Sequence, residues 1–566
     1  MSRGHRTGKS ATIIWVFGAQ FFVVIGGVVA GLLYLAVAAV PGPLRFREVG
    51  QASGLTFELI NSPTAHKYLP ETMAGGVAAF DYDGDGHTDI FFTNGAALPS
   101  LAKQGERHWN RLFRNIGGLR FQDVTVHAGL QGAGYSIGAV AADFDNDGHP
   151  DLFVTGVRHN ILYRNRGDGT FEDVTAKSGI GSEEWSVGAA WVNYDNDGLL
   201  DLFVVNYVQW APGLDQFCGD PARGLRVYCR PQLFKGTSNR LYRNLGHGHF
   251  ADVSEQAGIS AHIGKGMAVS VADYDGDGFA DLFVTNDKMP NFLFHNLGNG
   301  KFEEVAFDAG VALPDAGTEM SAMGADFRDI GNTGFPDIAL TALAGETFAL
   351  FRNDKGKLFN DATLSSRMGP LSRAYSGWGL GIFDFDNDGL KDIFTANSHV
   401  NDRVEAFEAT EYKQHNSVFR NLGNARFGDV SQAAGMRAEG TARAHRGAAF
   451  ADFNGDGRID VVTSSLGARP ELWENVGGGA NTWLILRLTG VKSNRDGIGT
   501  TVRIGQQTNH MTSSVGYASS SLFGVHFGTG QQTQVAEIEI RWPSGIRQTL
   551  RNVKTNQVLQ VREPAQ

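Results

Sequence analysis

The residues best suited to chemistry in this sequence are aspartates at fixed spacing. Asp81, Asp83, Asp85 and Asp89 fall at the first, third, fifth and ninth positions of one nine-residue stretch, with Gly86 at its turn. Four carboxylates so close repel one another unless a cation sits among them. A hard dication with oxygen ligands is the natural occupant, and calcium accepts six to eight oxygens in flexible geometry. The frame recurs at 143–151 (DFDNDGHPD), 193–201 (NYDNDGLLD), 273–281 (DYDGDGFAD), 384–392 (DFDNDGLKD) and 452–460 (DFNGDGRID). A seventh copy, 329–337 (DIGNTGFPD), holds Gly331 and Thr333 where carboxylates are needed, and is expected to bind calcium weakly or not at all.

The surroundings of these loops also repeat. Five residues upstream stands a glycine (Gly76, Gly138, Gly188, Gly324, Gly379, Gly447), with Ala268 as the exception. An aromatic follows the first ligand in six copies, and a short apolar run follows the last aspartate. A second strand-like element ends each time in Asn, as in Leu112-Phe113-Arg114-Asn115, and a turn leads on to Phe-x-acid-Val. Each unit therefore holds four short β segments, and seven irregular copies point to an all-β propeller with one unit per blade. The seventh unit lacks its Phe-x-acid-Val, which appears instead at the N-terminus as Phe46-Arg47-Glu48-Val49. That strand is expected to complete the last blade and cover an open edge. Two units carry long insertions, one from Tyr207 to Arg240 and one from His399 to His415. Such insertions on a rigid ring often carry function or are tolerated decoration.

Acidic residues outnumber basic ones, 60 to 49, giving a formal charge of −11. Six dications would bring this near neutrality, so the acidity is local to the loops and suggests no nucleic-acid partner. The two cysteines, Cys218 and Cys229, form no zinc or redox motif; they lie in one insertion, as a disulfide or as two free thiols. Residues 1–11 are polar and basic, and 12–40 carry no charge. That length reads as a transmembrane anchor with a cytoplasmic basic tail and the propeller outside the cytoplasm, periplasmic or extracellular. A cleaved signal peptide, with Ala36-Val37-Ala38 as its site, is the rival reading. Propeller units run over 44–478, and a small all-β module over 480–563 has no acidic loop.

These repeats resemble the FG-GAP (VCBS) repeats of the integrin-alpha-like propeller. The tail resembles the ASPIC/UnbV domain, through Arg495-Asp496-Gly497-Ile498-Gly499, His526-Phe527-Gly528, Trp542-Pro543-Ser544-Gly545 and Asn556-Gln557. Together they are similar to the cartilage-acidic-protein-like family. The resemblance implies a seven-bladed propeller with about six calcium ions, mainly structural. Direct side-chain ligands would be Asp81, Asp83, Asp85 and Asp89; Asp143, Asp145, Asp147 and Asp151; Asn193, Asp195, Asp197 and Asp201; Asp273, Asp275, Asp277 and Asp281; Asp384, Asp386, Asp388 and Asp392; and Asp452, Asn454, Asp456 and Asp460. The backbone carbonyls of His87, His149, Leu199, Phe279, Leu390 and Arg458 would add one ligand each.

No catalytic motif is present, so no catalytic residue is assigned and the chain reads as a non-enzyme. His66, His399 and His445 read as surface or packing residues. Asn94, Asn206, Asn286 and Asn397 share one register and read as strand-end backbone partners. Trp185, Tyr207 and Trp210 are candidates for an exposed contact surface. The leading function is a membrane-tethered, calcium-binding module for a protein or glycan ligand in adhesion. A carbohydrate-active lyase or hydrolase on a propeller scaffold is the alternative, favoured by carboxylates outside the loops near one mouth of the ring. A third reading is an assembly subunit of a cell-envelope complex, with helix contacts through Gly26, Gly27, Ala30 and Gly31.

Overall fold

The computed structural model describes residues 43–181, 183–214 and 216–565. Each aspartate loop joins two antiparallel strands, because Gly86 and its equivalents take positive φ (91° at Gly86, 104° at Gly278) that other residues adopt only with strain. The innermost strands are Val77–Phe80, Tyr135–Ala142, Ser186–Val192, Gly266–Ala272, Ala325–Arg328, Gly377–Phe383 and His445–Ala451. Each heads a four-strand antiparallel meander, here called units one to seven in chain order. The seventh meander is completed by Phe46–Glu48, paired with Glu471–Asn475 through Phe46↔Asn475 and Glu48↔Trp473. The outer edge of the last unit is thus covered by the N-terminal strand, as its sequence suggests.

The upstream glycines mark where inner strands crowd together. Pairing slips at a bulge around Gly138, Gly188, Gly379 and Gly447. A Cβ at Gly324 would lie 2.0 Å from the Trp378 carbonyl oxygen, and one at Gly447 2.4 Å from that of Gly75.

Two sets of contacts run from unit to unit. The aromatic after the first residue of the loop, present in six units, packs on the outermost Phe of the following unit: Tyr82 on Phe171, Phe144 on Phe250, Tyr194 on Phe302, Tyr274 on Phe359 and Phe385 on Phe46. Phe453 of unit seven returns to Phe121 of unit one at 6.0 Å between ring centres. The Asn ending each third strand donates its side-chain N–H to a loop carbonyl of the preceding unit. Asn165 reaches Tyr82 and Asn475 reaches Phe385, while Asn115 reaches Phe453. The architecture is all-β and propeller-like.

The C-terminal region builds two further sheets. Thr482–Thr489 lies between Val525–Gly530, antiparallel, and Gln557–Arg562, parallel. Thr501–Ile504 and Gln534–Arg541 lie between Gln507–His510 and Arg547–Lys554. From it a hairpin, Ser514–Val515 and Ser519–Leu522, enters among the inner strands, and Ser519–Leu522 pairs parallel with Val77–Phe80.

The expected membrane anchor is corrected. Among the described residues no helix is long and apolar enough to cross a membrane. A helical span needs about 20 apolar residues, whereas the longest α-helix described, Met368–Ser372, has 5. The stretch 12–40, with its rival cleavage site and the small residues Gly26 to Gly31, lies outside the described residues. The membrane-anchored localisation is therefore withdrawn.

Candidate metal centres and a basin at the other mouth

In each loop the first residue accepts backbone N–H bonds from the turn that follows it. Asp81 accepts from the N–H of Asp85 at 3.1 Å and of Gly86 at 2.9 Å, which curls the chain around its carboxylate. Asp89 lies at the start of the next strand. Its two oxygens accept from the N–H of Asn115 at 2.7 Å and of Tyr82 at 3.0 Å. The ninth-position aspartates of the other units repeat this pair, as Asp151 does with Asn165 and Phe144. Ligand atoms of Asp81, Asp83 and Asp85 lie within 4.8 Å of one another, as do those of Asp143, Asp145 and Asp151, of Asp273, Asp275 and Asp281, and of Asp384, Asp386 and Asp392. That spacing is about twice a calcium–oxygen bond of ~2.4 Å, so these oxygens fit a calcium ion between them. The loops at Asn193 and Asp452 each replace one carboxylate by an amide, and no such trio of acids forms there among the described residues.

The residue before the tying Asn is an arginine in most units, and its role was not apparent from sequence. Arg114 bridges Asp83 at 2.6 Å and Asp85 at 2.8 Å; Arg164 bridges Asp145 and Asp147; Arg243 bridges Asp195 and Asp197; Arg420 bridges Asp386 and Asp388. In these four units it supplies one positive charge to the loop from the third strand; in unit four His295 holds the place and meets Asp281 at 3.1 Å. In unit seven Glu474 takes this place and turns to Arg47, and the third loop position is there the uncharged Asn454. The degenerate loop is served by the protein's own cations. Arg352 meets Asp337 at 2.9 Å and the buried Lys391 ammonium donates to the Asp329 carbonyl at 2.8 Å.

One arginine does not neutralise the acids of a loop, of which the ninth-position aspartate is buried in every unit. Burial, aided by neighbouring aspartates, pushes Asp89 up to about 8 and Asp273 to about 7. Burial first, then Asp496 of the C-terminal region, pushes Asp143 to about 8. Asp151, Asp384, Asp392 and Asp460 are raised well above the usual carboxylate range by burial. A bound dication would keep these groups ionised at neutral pH.

The C-terminal region sits over these loops. Asp496 accepts from the Asp143 N–H at 2.7 Å, Arg487 donates to the Gly86 carbonyl, and Arg541 donates to the Gly276 carbonyl at 3.0 Å. Its hairpin fills the space between inner strands. Gly516 N–H donates to Ala325, and Ala518 accepts from Ala139. Ser519, Ser520 and Ser521 accept from the N–H groups of Val77, Ala141 and Phe450, in units one, two and seven. Sequence reasoning passed over this serine run, whose only signal is three small hydroxyls in succession.

The insertions leave from the opposite strand ends, because the loops close the first strand onto the second and the insertions join the second to the third. They converge there with residues 62–73. Tyr228 donates to Glu71 at 2.9 Å, and Lys67 pairs with Asp402 at 2.5 Å. Cys218 and Cys229 form a disulfide. The walls enclose a basin of about 820 Å³. Leu233 and Phe407, one from each insertion, stand 57 % and 44 % exposed on its rim. Met267, Met323 and Trp378 line it lower down. Tyr517, at the hairpin tip, donates to the Met73 carbonyl at 2.7 Å and meets Trp378 edge-on at 4.9 Å, closing the floor from below. Asp287 and Glu346 also line the basin. Asp287 accepts from the Tyr207 hydroxyl at 2.7 Å and is pushed up to about 6 by burial. Glu346 pairs with Lys288 and accepts from the Ser321 N–H at 2.8 Å.

The remaining expectations divide. Asn94, Asn206, Asn286 and Asn397 do bond strand-end carbonyls, for example those of Trp109, Ser238, Pro290 and His415. His445 is buried between Glu471 and the Asn397 carbonyl, and His399 is buried and accepts from Asn401. His66 is exposed and stacks on Tyr68. Trp185, Tyr207 and Trp210 do not form an exposed surface. They pack on one another at 5.2 and 6.0 Å and are all buried, because burying large aromatic area outweighs leaving it in water.

Comparison with known proteins agrees with this geometry. The family model described as FG-GAP-like repeat matches residues 81–154, 143–204, 232–284, 273–340 and 402–463, and that described as ASPIC and UnbV matches 490–566. Cartilage acidic protein 1 of Homo sapiens is 26 % identical over 327 residues, 55 % of this chain and 46 % of its own length. The Mus musculus protein of that name is 25 % identical over 326 residues, 55 % of this chain and 47 % of its own length. The chain thus spans about half the length of these relatives. Integrin alpha-4 of Xenopus laevis is 28 % identical over 147 residues, 23 % of this chain and 14 % of its own. Among solved structures, an Agrocybe aegerita lectin recognising non-reducing terminal N-acetylglucosamine aligns with TM-score 0.39 and 16 % identity over 70 % of this chain and 87 % of its own, a level that carries no functional weight.

Proposed function

The chain belongs to the FG-GAP-like repeat family and ends in an ASPIC and UnbV domain; from that premise we propose a calcium-stabilised, seven-bladed propeller that binds a protein or glycan ligand. The seven meanders, and the contacts returning from unit seven to unit one, support the blade count. Calcium is held by the carboxylates of the six acidic loops, cancels their mutual repulsion, and fixes one strand end to the next. The ligand enters the basin at the mouth away from these loops.

One observation carries the binding reading: both insertions and residues 62–73 converge on a single basin with apolar side chains left exposed at its rim. Exposed apolar surface rimmed by polar groups is characteristic of a recognition site. The test is capture from a glycan array and a panel of purified proteins, in calcium. Capture by the native chain that is lost in the double variant Leu233→Asp, Phe407→Asp is expected. Equal capture by both would remove the basin from the account.

An enzymatic reading is favoured by Asp287 and Glu346, carboxylates outside the metal loops that line the same basin. Turnover of a captured glycan, abolished in Asp287→Asn with capture intact, would establish it over simple binding.

A further inference from the structure

The loop of unit six differs from the others in being sealed under the C-terminal region. Asp384, Asp386, Asn387, Lys391 and Asp392 are all buried. Asn481 donates to the Asp386 carbonyl at 2.8 Å and Gly530 N–H to the Asn387 carbonyl at 2.9 Å. A Cβ at Gly528 would lie 2.0 Å from Asp384, so the strand carrying it rests directly on the carboxylate.

The oxygens of Asp384, Asp386 and Asp392 can be accounted for one by one. Asp384 accepts from Asp388 and Gly389 N–H, Asp392 from Phe385 and Asn421 N–H, and Asp386 Oδ2 from Arg420. Asp386 Oδ1 is buried and has no hydrogen-bond partner. It belongs to the trio of acids whose ligand atoms lie within 4.8 Å of one another. Arg420 pairs with the other oxygen of this carboxylate, but a buried acceptor left without a hydrogen bond is still costly. A dication at the centre of the trio removes that cost. Unit five provides the internal contrast: its acid-poor loop, the neighbour of this one, is met by Lys391 and Arg352.

We propose that the unit-six loop holds a cation occluded between propeller and C-terminal domain, and that this ion locks the domain onto the ring. The inference rests on the calcium reading above and goes beyond it, since it couples one ion to domain docking. Ions in outward-facing loops such as Asp81–Asp89 exchange with solvent. The occluded ion leaves only when the strand Val525–Gly530 lifts, and its loss loosens that strand and the hairpin behind it.

The test is hydrogen–deuterium exchange of the full chain, with and without prolonged chelation, and metal content measured alongside. Expected is a fast loss of most calcium, slow loss of a remaining ion, and faster exchange over 512–530 only after that slow phase. Asp386→Asn should exchange quickly at 512–530 even in calcium. Asp83→Asn, in the outward-facing loop, should leave that segment protected. Because the chelation experiment uses the native chain, it stands even if Asp386→Asn does not fold. Calcium bound but with protection of 512–530 indifferent to its removal would overturn the lock alone. Absence of bound calcium at every loop would overturn the calcium reading and the lock together.

Discussion

Asn115 of unit one donates its side-chain amide to the carbonyl of Phe453 in unit seven, 338 positions along the chain, at 2.9 Å. The same amide also reaches Thr88, in its own loop, at 3.0 Å. One residue therefore joins the loop it serves to the loop of the unit before it. The equivalent Asn in each other unit repeats this, so the seam between last and first units is made by the same device as every other boundary.

Asn115→Ala leaves the Phe453 and Thr88 carbonyls buried without that donor. A loss of about 1–3 kcal/mol is expected, as for buried hydrogen bonds generally. Differential scanning calorimetry should record a melting point lowered by a few degrees. An unchanged melting point would mean that the seam is held by other contacts.

Phe46 tests the N-terminal closure. It is fully buried, and meets Phe385 at 5.6 Å and Phe394 at 6.5 Å. Phe46→Ala should cost about 3–5 kcal/mol, as large-to-small core changes do, and should expose the edge of Glu471–Asn475 to pairing with other chains. Light scattering during heating should show aggregation at lower temperature than for the native chain.

These two residues indicate what the sequence disclosed. The loops, the four-strand unit and the strand at Phe46 were legible because their signals are local and repeated seven times. The hairpin at Tyr517 was not, because Ser519 meets Val77 across 442 positions and a serine run carries no periodic signature. The L-x-R-N motif was visible as a strand, but its arginine gains meaning only once that strand lies beside the loop. Trp185, with Tyr207 and Trp210 of the first insertion, suggested a surface; whether Trp185 is buried depends on Tyr207 and Trp210 folding over it. The basin joins three segments far apart in sequence, so neither insertion announces it alone.

Asp287 gives a pH test remote from the aspartate loops. Burial raises it to about 6 from an ordinary value near 3.8, against the effects of the Tyr207 hydroxyl, Lys288 and Lys265, with Glu346 raising it further. The native state therefore holds this proton more tightly than the unfolded chain. Its contribution is fully present below about pH 4 and is lost as pH rises through 6. Melting points of Asp287→Asn and the native chain should diverge in the variant's favour between pH 4 and 7. The gain is no more than about 3 kcal/mol, and less where water in the basin screens the charge. A constant difference over that range would contradict the assignment.

Reduction of Cys218–Cys229 should act locally. The bridge closes a loop with a sequence separation of 11 residues, for which about 2–4 kcal/mol of constraint is typical. Limited proteolysis after reduction should cut first between 212 and 235, while the melting point of the propeller-like body changes little. Cutting elsewhere first would show that the insertion is held by Tyr228 and its neighbours instead.

The central claim is that dications neutralise the acidic loops and hold the ring together. Its most direct test is calcium titration into the chelator-stripped full chain by calorimetry, with melting followed at each step. Binding of about six ions per chain is expected, with the melting point rising as they load and falling again on chelation. A chain that takes up no calcium and melts at the same temperature throughout would contradict the account.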